Sequence, residues 1–350
     1  MLTILAPLSD MIFKLDPLPQ LNEKRERKKF PQVSFQRSVL SSFPLLFEKY
    51  FNDNFGFRDP LVRLNYLVKH NLLGVSPTTR VVLGKDGWLF FAGDGAVEDS
   101  LGITHYGEAQ LRKWADSLEL KRKLLNERGI LYLLVIVPNK KTIYGEYLPA
   151  NYRKVRSYTG LDEFTDYVQK HTAVEMVDIR SALMAAKKNE RLYSKTDTHW
   201  NAYGAFVAYQ EIMSHISKRF PHIKADALTD YSIEKKIASG GDLASLIGGS
   251  DFLKEKFVNL LPRNQRMAVK RKDGKLTEFV TDDKKLPRLL VYRDSFFDAL
   301  IPFLSEHFQY SSYQSQQCIS SDKLLEMIDT VHPDIVIEEV VERFIKDGFG

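Results

Sequence analysis

Two short segments hold side chains that together could run nucleophilic acyl chemistry. The first is Lys195-Thr196-Asp197-Thr198-His199-Trp200-Asn201. In an extended loop, residues two apart project to the same side, so Asp197 and His199 can face one cavity. A carboxylate that fixes a histidine's tautomer and stabilises its protonated form makes that histidine a general base. The same residues have a plainer use. Asp197 or Asn201 can cap the following helix, leaving His199 as an ordinary surface histidine. The second segment is Leu289-Leu290-Val291-Tyr292-Arg293-Asp294-Ser295-Phe296-Phe297. An apolar run ends, three polar residues turn the chain, and an apolar helix begins, which sets Ser295 at a strand's C-terminal edge. Ligands collect at that edge in α/β sheets. Free N–H groups and the helix dipole there favour a developing oxyanion. The alternative is that Ser295 only caps its own helix. The turn is not Gly-x-Ser-x-Gly, so an α/β-hydrolase elbow is not indicated. Asp, His and Ser are the parts of a nucleophilic triad, whose chain order varies among unrelated folds.

The elements that must position these residues follow from hydrophobic spacing. Residues 107–128 carry Leu111, Trp114, Leu118 and Leu125 at helical intervals, stopped by Gly129. The run 130–137 lacks polar alternation and predicts a strand buried on both faces, as in parallel sheets covered by helices. A helix at 160–171, a strand at 174–179, a helix at 202–219, a strand at 289–292, a helix at 296–307 and a strand at 334–337 continue the alternation. That pattern predicts a three-layer α/β/α domain with a mostly parallel central sheet. Asp86-Gly87 between two apolar runs predicts a hairpin over 81–91, and Lys272-Asp273-Gly274-Lys275 predicts another turn. Residues 35–73 read as helical up to Gly74. The expected division is a helical extension over 1–74 and a core domain over 75–350.

Composition narrows the partners. The 350 residues are 44% apolar and 12% aromatic, enough for a large core. A net charge of +5 is too small to demand a nucleic-acid partner. The lone Cys318 excludes a disulfide framework and a cysteine-based metal or redox site. The eight histidines are scattered, so no metal and no cofactor are expected. No stretch reaches the roughly 18 apolar residues of a membrane span. The mildly apolar opening at 1–15 reads as the remnant of a possible membrane anchor, and the charge run Lys24–Lys29 as a solvated linker.

A set of segments in register resembles one family. These are FNDNFGFRDPL (51–61), VVLGKDGWLFF (81–91), VIVPNKKTIYGEYLP (135–149), YSKTDTHWNAYGA (193–205), GGDLASLIG (240–248), LLVYRDSFFDAL (289–300) and PDIVIEEVVER (333–343). Together they resemble the SGNH-hydrolase-like domain of AlgX/AlgJ-type alginate O-acetyltransferases and their relatives in bacterial exopolysaccharide acetylation. The resemblance implies a catalytic set of Asp197, His199 and Ser295. It also implies a polysaccharide acceptor, an acetyl donor delivered by a membrane-bound O-acyltransferase, and a place in the periplasm or cell envelope. One departure stands out: Arg293 replaces the glycine that usually precedes Asp-Ser, and it either points to solvent or binds an anionic substrate. The backbone of the Gly240-Gly241-Asp242 loop is a candidate second oxyanion donor. Lys140 and Tyr144, just beyond a buried strand, either line the same cleft or are solvated. Three functions fit these residues: acetyl transfer through a serine acetyl-enzyme, hydrolysis of acetylated glycans by the same triad, or glycan binding in an export complex with Arg293 marking a disabled site.

Overall fold

A computed structural model describes residues 37–349 together with 7, 9–11, 13–16, 21 and 26–32. Eleven strands are named in chain order: β1 Val81–Leu83, β2 Leu89–Phe91, β3 Leu131–Val137, β4 Glu175–Asp178, β5 Tyr231–Ser239, β6 Lys254–Pro262, β7 Val269–Lys272, β8 Leu276–Val280, β9 Arg288–Tyr292, β10 Tyr310–Gln314 and β11 Ile335–Val341. Seven of them form the central sheet in the order β4-β3-β11-β9-β10-β8-β7. Strands β4, β3, β11, β9 and β10 run parallel, and β8 and β7 add an antiparallel edge.

Alternation along each strand feeds two separate cores. Leu133, Val135 and Val137 of β3, Leu289 and Val291 of β9, and Ile335, Ile337 and Val341 of β11 pack under helix Ala202–Arg219. Tyr132, Leu134 and Ile136, Leu290 and Tyr292, and Val336 and Val340 face helices Gly107–Asn126, Gly160–His171 and Ser321–Val331. The chain is thus a three-layer α/β/α sandwich, the class its sequence pattern implies.

Four local features differ from the expectation. The helical region 35–73 breaks between Arg37–Asn54 and Arg58–Tyr66, because Phe57 takes a left-handed conformation at φ 57°. Strand β10 (YSSYQ) has no apolar run, yet Ser311 and Ser312 are fully buried between β9 and β8. The ribbon β5–β6 is mostly exposed, so its residues carry no strong apolar pattern. The segment 296–307 is two short 3₁₀ turns around a four-residue helix, Ile301–Leu304, rather than one helix. Pro302, which has no N–H to donate, sits within it. Both predicted turns are present: Asp86 and Gly87 are left-handed between β1 and β2, and Gly274 has φ 120° between β7 and β8.

The chain before β1 also touches the site's surroundings. Arg63 pairs with Asp251 at 2.8 Å, and Tyr66 stacks on Phe252 and joins a small core with Val81, Leu89, Leu243 and Ile247. The opening at 1–15 lies in large part outside the described residues, as do Lys24 and Arg25. Among the described residues no helix is long and apolar enough to cross a membrane.

One buried ion pair ties a covering helix to the sheet. Lys121 and Glu338 are both out of solvent and meet at 2.9 Å, and Tyr132 Oη donates to the same carboxylate at 2.7 Å. Removing one partner strands the other charge, which typically costs about 3–5 kcal/mol. Lys121→Met is therefore expected to lower unfolding stability by about that amount, read as a shift in urea midpoint.

Candidate active site

Strand β9 ends at Tyr292, and the chain turns through Arg293 and Asp294 to Ser295. The turn is pinned to β11: Asp294 N–H donates to Glu339 Oε2 at 2.8 Å, and Val341 N–H donates to Asp294 Oδ2 at 2.9 Å. Asp294 Oδ1 accepts from Phe296 N–H at 2.8 Å. Asp294, not Ser295, is therefore the helix cap, and the serine hydroxyl is left available.

The opposite wall is the loop 193–201, which leads into helix Ala202–Arg219. Asn201 caps that helix, its side chain accepting from Tyr203 N–H and Gly204 N–H. Capping thus falls to Asn201 rather than to Asp197. Asp197 Oδ1 lies 2.8 Å from His199 Nδ1, and His199 Nε2 lies 2.8 Å from Ser295 Oγ. Trp200 Nε1 donates to Phe296 O at 3.0 Å, locking the histidine loop to the serine segment. The structure brings Asp197, His199 and Ser295 into one hydrogen-bonded chain at the C-terminal edge of β9 and β11, where ligands bind in parallel sheets.

Electrostatics orient this chain. Burial would raise the Asp197 carboxyl, but the hydrogen bond and charge of His199 outweigh it and hold Asp197 well below the usual carboxylate range. An ionised Asp197 can only accept, so Nδ1 carries the proton and Nε2 of the neutral ring accepts from Ser295 Oγ–H. Burial would lower the His199 imidazole, yet Asp197 and then Asp242 raise it above its ordinary value. Asp242 is itself pushed up, by burial and then by the charge of Asp197. Asp197, His199 and Asp242 offer ligand atoms within 4.8 Å of one another. Two of their carboxylate oxygens accept backbone hydrogen bonds: Asp242 Oδ1 from Thr198 N–H at 2.7 Å, and Asp197 Oδ2 from Asp242 N–H at 3.0 Å.

The residues expected to touch substrate lie elsewhere. Lys140 is buried behind the loop, where its ammonium donates to the carbonyls of Ser194 (3.0 Å), Lys195 (3.1 Å) and Asp197 (2.6 Å). Burial pulls it down to about 7 against the nearby carboxylates. Tyr144 stacks on Trp88 at 4.5 Å, and its hydroxyl accepts from Leu192 N–H. Arg293 is neither solvated nor in the cleft: it is buried, and Nη1 meets Asp298 Oδ1 at 2.7 Å and Asp294 O at 3.1 Å. It is absent from the left-handed residues, so nothing in the backbone there requires glycine. The Gly240-Gly241-Asp242 amides are spent on Leu253 O, Thr196 Oγ1 and Asp197 Oδ2, so this loop is no oxyanion donor. Its role is support from behind: a Cβ on Gly241 would overlap the Asp197 side chain.

A cavity of about 420 Å³ opens in front of Ser295 and His199. Its walls include Asp242, whose loop the sequence singles out, and Arg80, Phe91 and Arg343, for which the sequence suggests no role in the site. Arg343 carried a usable signal, a cation closely following the buried strand β11, as Ser295 follows β9.

The family model described as "SGNH hydrolase-like domain, acetyltransferase AlgX" matches residues 81–311. The chain belongs to this family. Among curated relatives, the "Probable alginate O-acetylase AlgJ" of Pseudomonas syringae pv. tomato is 29% identical over 197 residues, covering 55% of this chain and 46% of that protein. The protein of the same name from Pseudomonas aeruginosa is 27% identical over 191 residues, covering 53% of this chain and 45% of its own length. The chain thus spans about half the length of the curated relatives it matches. The fold is shared with Bacillus cereus PatB1 carrying a sulfonyl adduct (TM-score 0.56, 17% identity, 76% of this chain and 97% of that one). It is shared too with the O-acetyltransferase domain of Pseudomonas putida AlgJ (TM-score 0.50, 22% identity, 76% and 91%).

Three outcomes follow from this geometry. The His199 imidazole, followed by proton NMR, is expected to titrate above the free-histidine value of about 6.5 and to fall in Asp197→Asn. Since the unprotonated ring is the base, turnover of an acetyl ester should rise with pH through that same raised value. Gly241→Ala, by displacing Asp197, is expected to cut that turnover by about 10²-fold without unfolding the chain.

Proposed function

We propose that this chain is an O-acetyltransferase domain that moves an acetyl group through Ser295 onto hydroxyls of a bacterial exopolysaccharide, alginate-like in kind. The observation that carries the reading is the 2.8 Å contact of His199 Nε2 with Ser295 Oγ, backed by Asp197 on Nδ1. In the first half, the Oγ–H proton passes to His199 Nε2 as Oγ bonds the acetyl carbon. The carbonyl π electrons move onto oxygen, and collapse of the tetrahedral species expels the donor's leaving group, protonated by His199. In the second half, His199 takes the proton of a sugar hydroxyl, whose oxygen attacks the acetyl-enzyme. Ser295 leaves and recovers its proton. Asp197 holds the ring's tautomer and its cationic form throughout. The Ser295 amide, first in its 3₁₀ turn, has no intrahelical acceptor and is available to the developing oxyanion.

The names of the curated relatives support a polysaccharide acceptor. By resemblance, we assign the acetyl supply to a membrane-bound O-acyltransferase and the chain to the periplasm or cell envelope, with membrane association through its N-terminus. We retain 75–350 as the acetyltransferase unit and 1–74 as its helical extension.

Ser295→Ala is expected to lose about 10⁴–10⁶-fold of turnover on an acetyl ester if the three residues act as a unit. A serine-directed fluorophosphonate should label the unaltered chain and not this variant. With an acetyl donor and an oligosaccharide together, mass spectrometry should find acetylated sugar. Free acetate as the sole product would instead identify an esterase.

A further inference from the structure

Three arginines are buried among the described residues: Arg63, Arg293 and Arg343. Arg63 has Asp251 and Arg293 has Asp298 as carboxylate partners. Arg343, only 7% exposed, is in no ion pair among the described residues. Its Nη1 donates to the neutral Asn139 Oδ1 at 3.2 Å, and its Nε has no acceptor. The guanidinium lies over the rings of Phe344 (4.9 Å), Phe296 (5.4 Å) and Phe91 (5.6 Å). Aromatic faces ease the burial of a cation but do not neutralise it. Asp294, Asp94 and Asp242 act on Arg343 only through space, and burial outweighs them; a desolvated charge with no carboxylate in contact is costly to keep. This one borders the cavity that holds Ser295 and His199.

The counter-charge can arrive with the reaction. When Ser295 Oγ bonds an acyl carbon, its proton goes to His199 Nε2 and one unit of negative charge appears on the former carbonyl oxygen. The Gly240–Asp242 amides are already spent, which leaves the Ser295 N–H short of a second donor. We propose that the Arg343 guanidinium is that donor, stabilising the oxyanion of the tetrahedral intermediate in both half-reactions. The proposal rests on the reading of Ser295 as the acyl-accepting nucleophile. A guanidinium fixed by aromatic contacts and Asn139 is preorganised, so little rearrangement is needed as the charge forms.

The test uses the full chain and 4-nitrophenyl acetate, a neutral ester with no carboxylate for an arginine to bind. Arg343→Gln is expected to lower kcat by about 10²–10³-fold, the usual cost of one oxyanion donor, with KM changed by less than about twofold. Affinity for a trifluoromethyl ketone, which forms a charged tetrahedral adduct, should fall in the same proportion. Arg343→Lys should recover part of both losses. An unchanged kcat on the neutral ester, with weakened binding of an acidic oligosaccharide instead, would overturn the proposal and make Arg343 a substrate-charge contact. Should Arg343→Gln fail to fold, carbon NMR of the ketone bound to the unaltered chain decides. An ionised hemiketal oxygen at neutral pH supports the proposal, and a protonated one overturns it. Full turnover in Ser295→Ala would remove the nucleophile reading itself. An inactive Ser295→Ala beside a fully active Arg343→Gln would sink only this inference.

Discussion

The ammonium of Lys140 beneath the loop 194–200 is the contact on which the site's geometry depends. A buried loop cannot satisfy its own carbonyls, and each one left unpaired costs free energy. Lys140 gathers three of them, from Ser194, Lys195 and Asp197, onto one donor group. Glu255 takes the amides of Lys195 and Thr196 from the other side. The loop is thereby held at both its donors and its acceptors, and Asp197 and His199 project from a backbone with little freedom left. Lys140 is a positioning residue that does not touch the cavity.

The serine side is fixed by a different device. Its turn leaves the sheet from β9 and is tied to the adjacent β11 through Asp294 and Glu339. Burial, and then the nearby Asp294, push Glu339 well above the usual carboxyl range. Asp294 is pushed up as well, first by burial, so the pair resists holding two full negative charges beneath the nucleophile's turn. Trp200 closes the frame by bonding across to Phe296 O. Two independently supported walls therefore meet at the Ser295–His199 contact.

The two alternatives left open by the residue types are decided by competition for backbone groups. A helix start needs acceptors for its free amides. Asn201 and Asp294 supply them, and that is what leaves His199 and Ser295 free for chemistry. Arg293 is settled by the same kind of accounting, since Asp298 and a backbone carbonyl claim its guanidinium and its backbone needs no glycine.

By itself the sequence determined the layered α/β/α architecture, because most strands buried on both faces read as apolar runs and their covering helices show one apolar stripe. The Asp-x-His spacing and the strand-to-helix turn at Ser295 were legible for the same local reason. The buried polar strand β10 was not, since small serines fill a tight slot only when neighbouring strands create it. Nor could the sequence place Lys140, Tyr144, Gly241 or Arg343. Whether a lysine lines a cleft or braces a loop depends on which carbonyls lie within about 3 Å, and those come from residues more than 50 positions away. Tertiary structure alone decided that Gly241 supports Asp197 from behind and that Arg343 borders the cavity with no ion pair among the described residues. Long-range contacts, not residue type, determine which polar groups are already satisfied and which are left for a ligand.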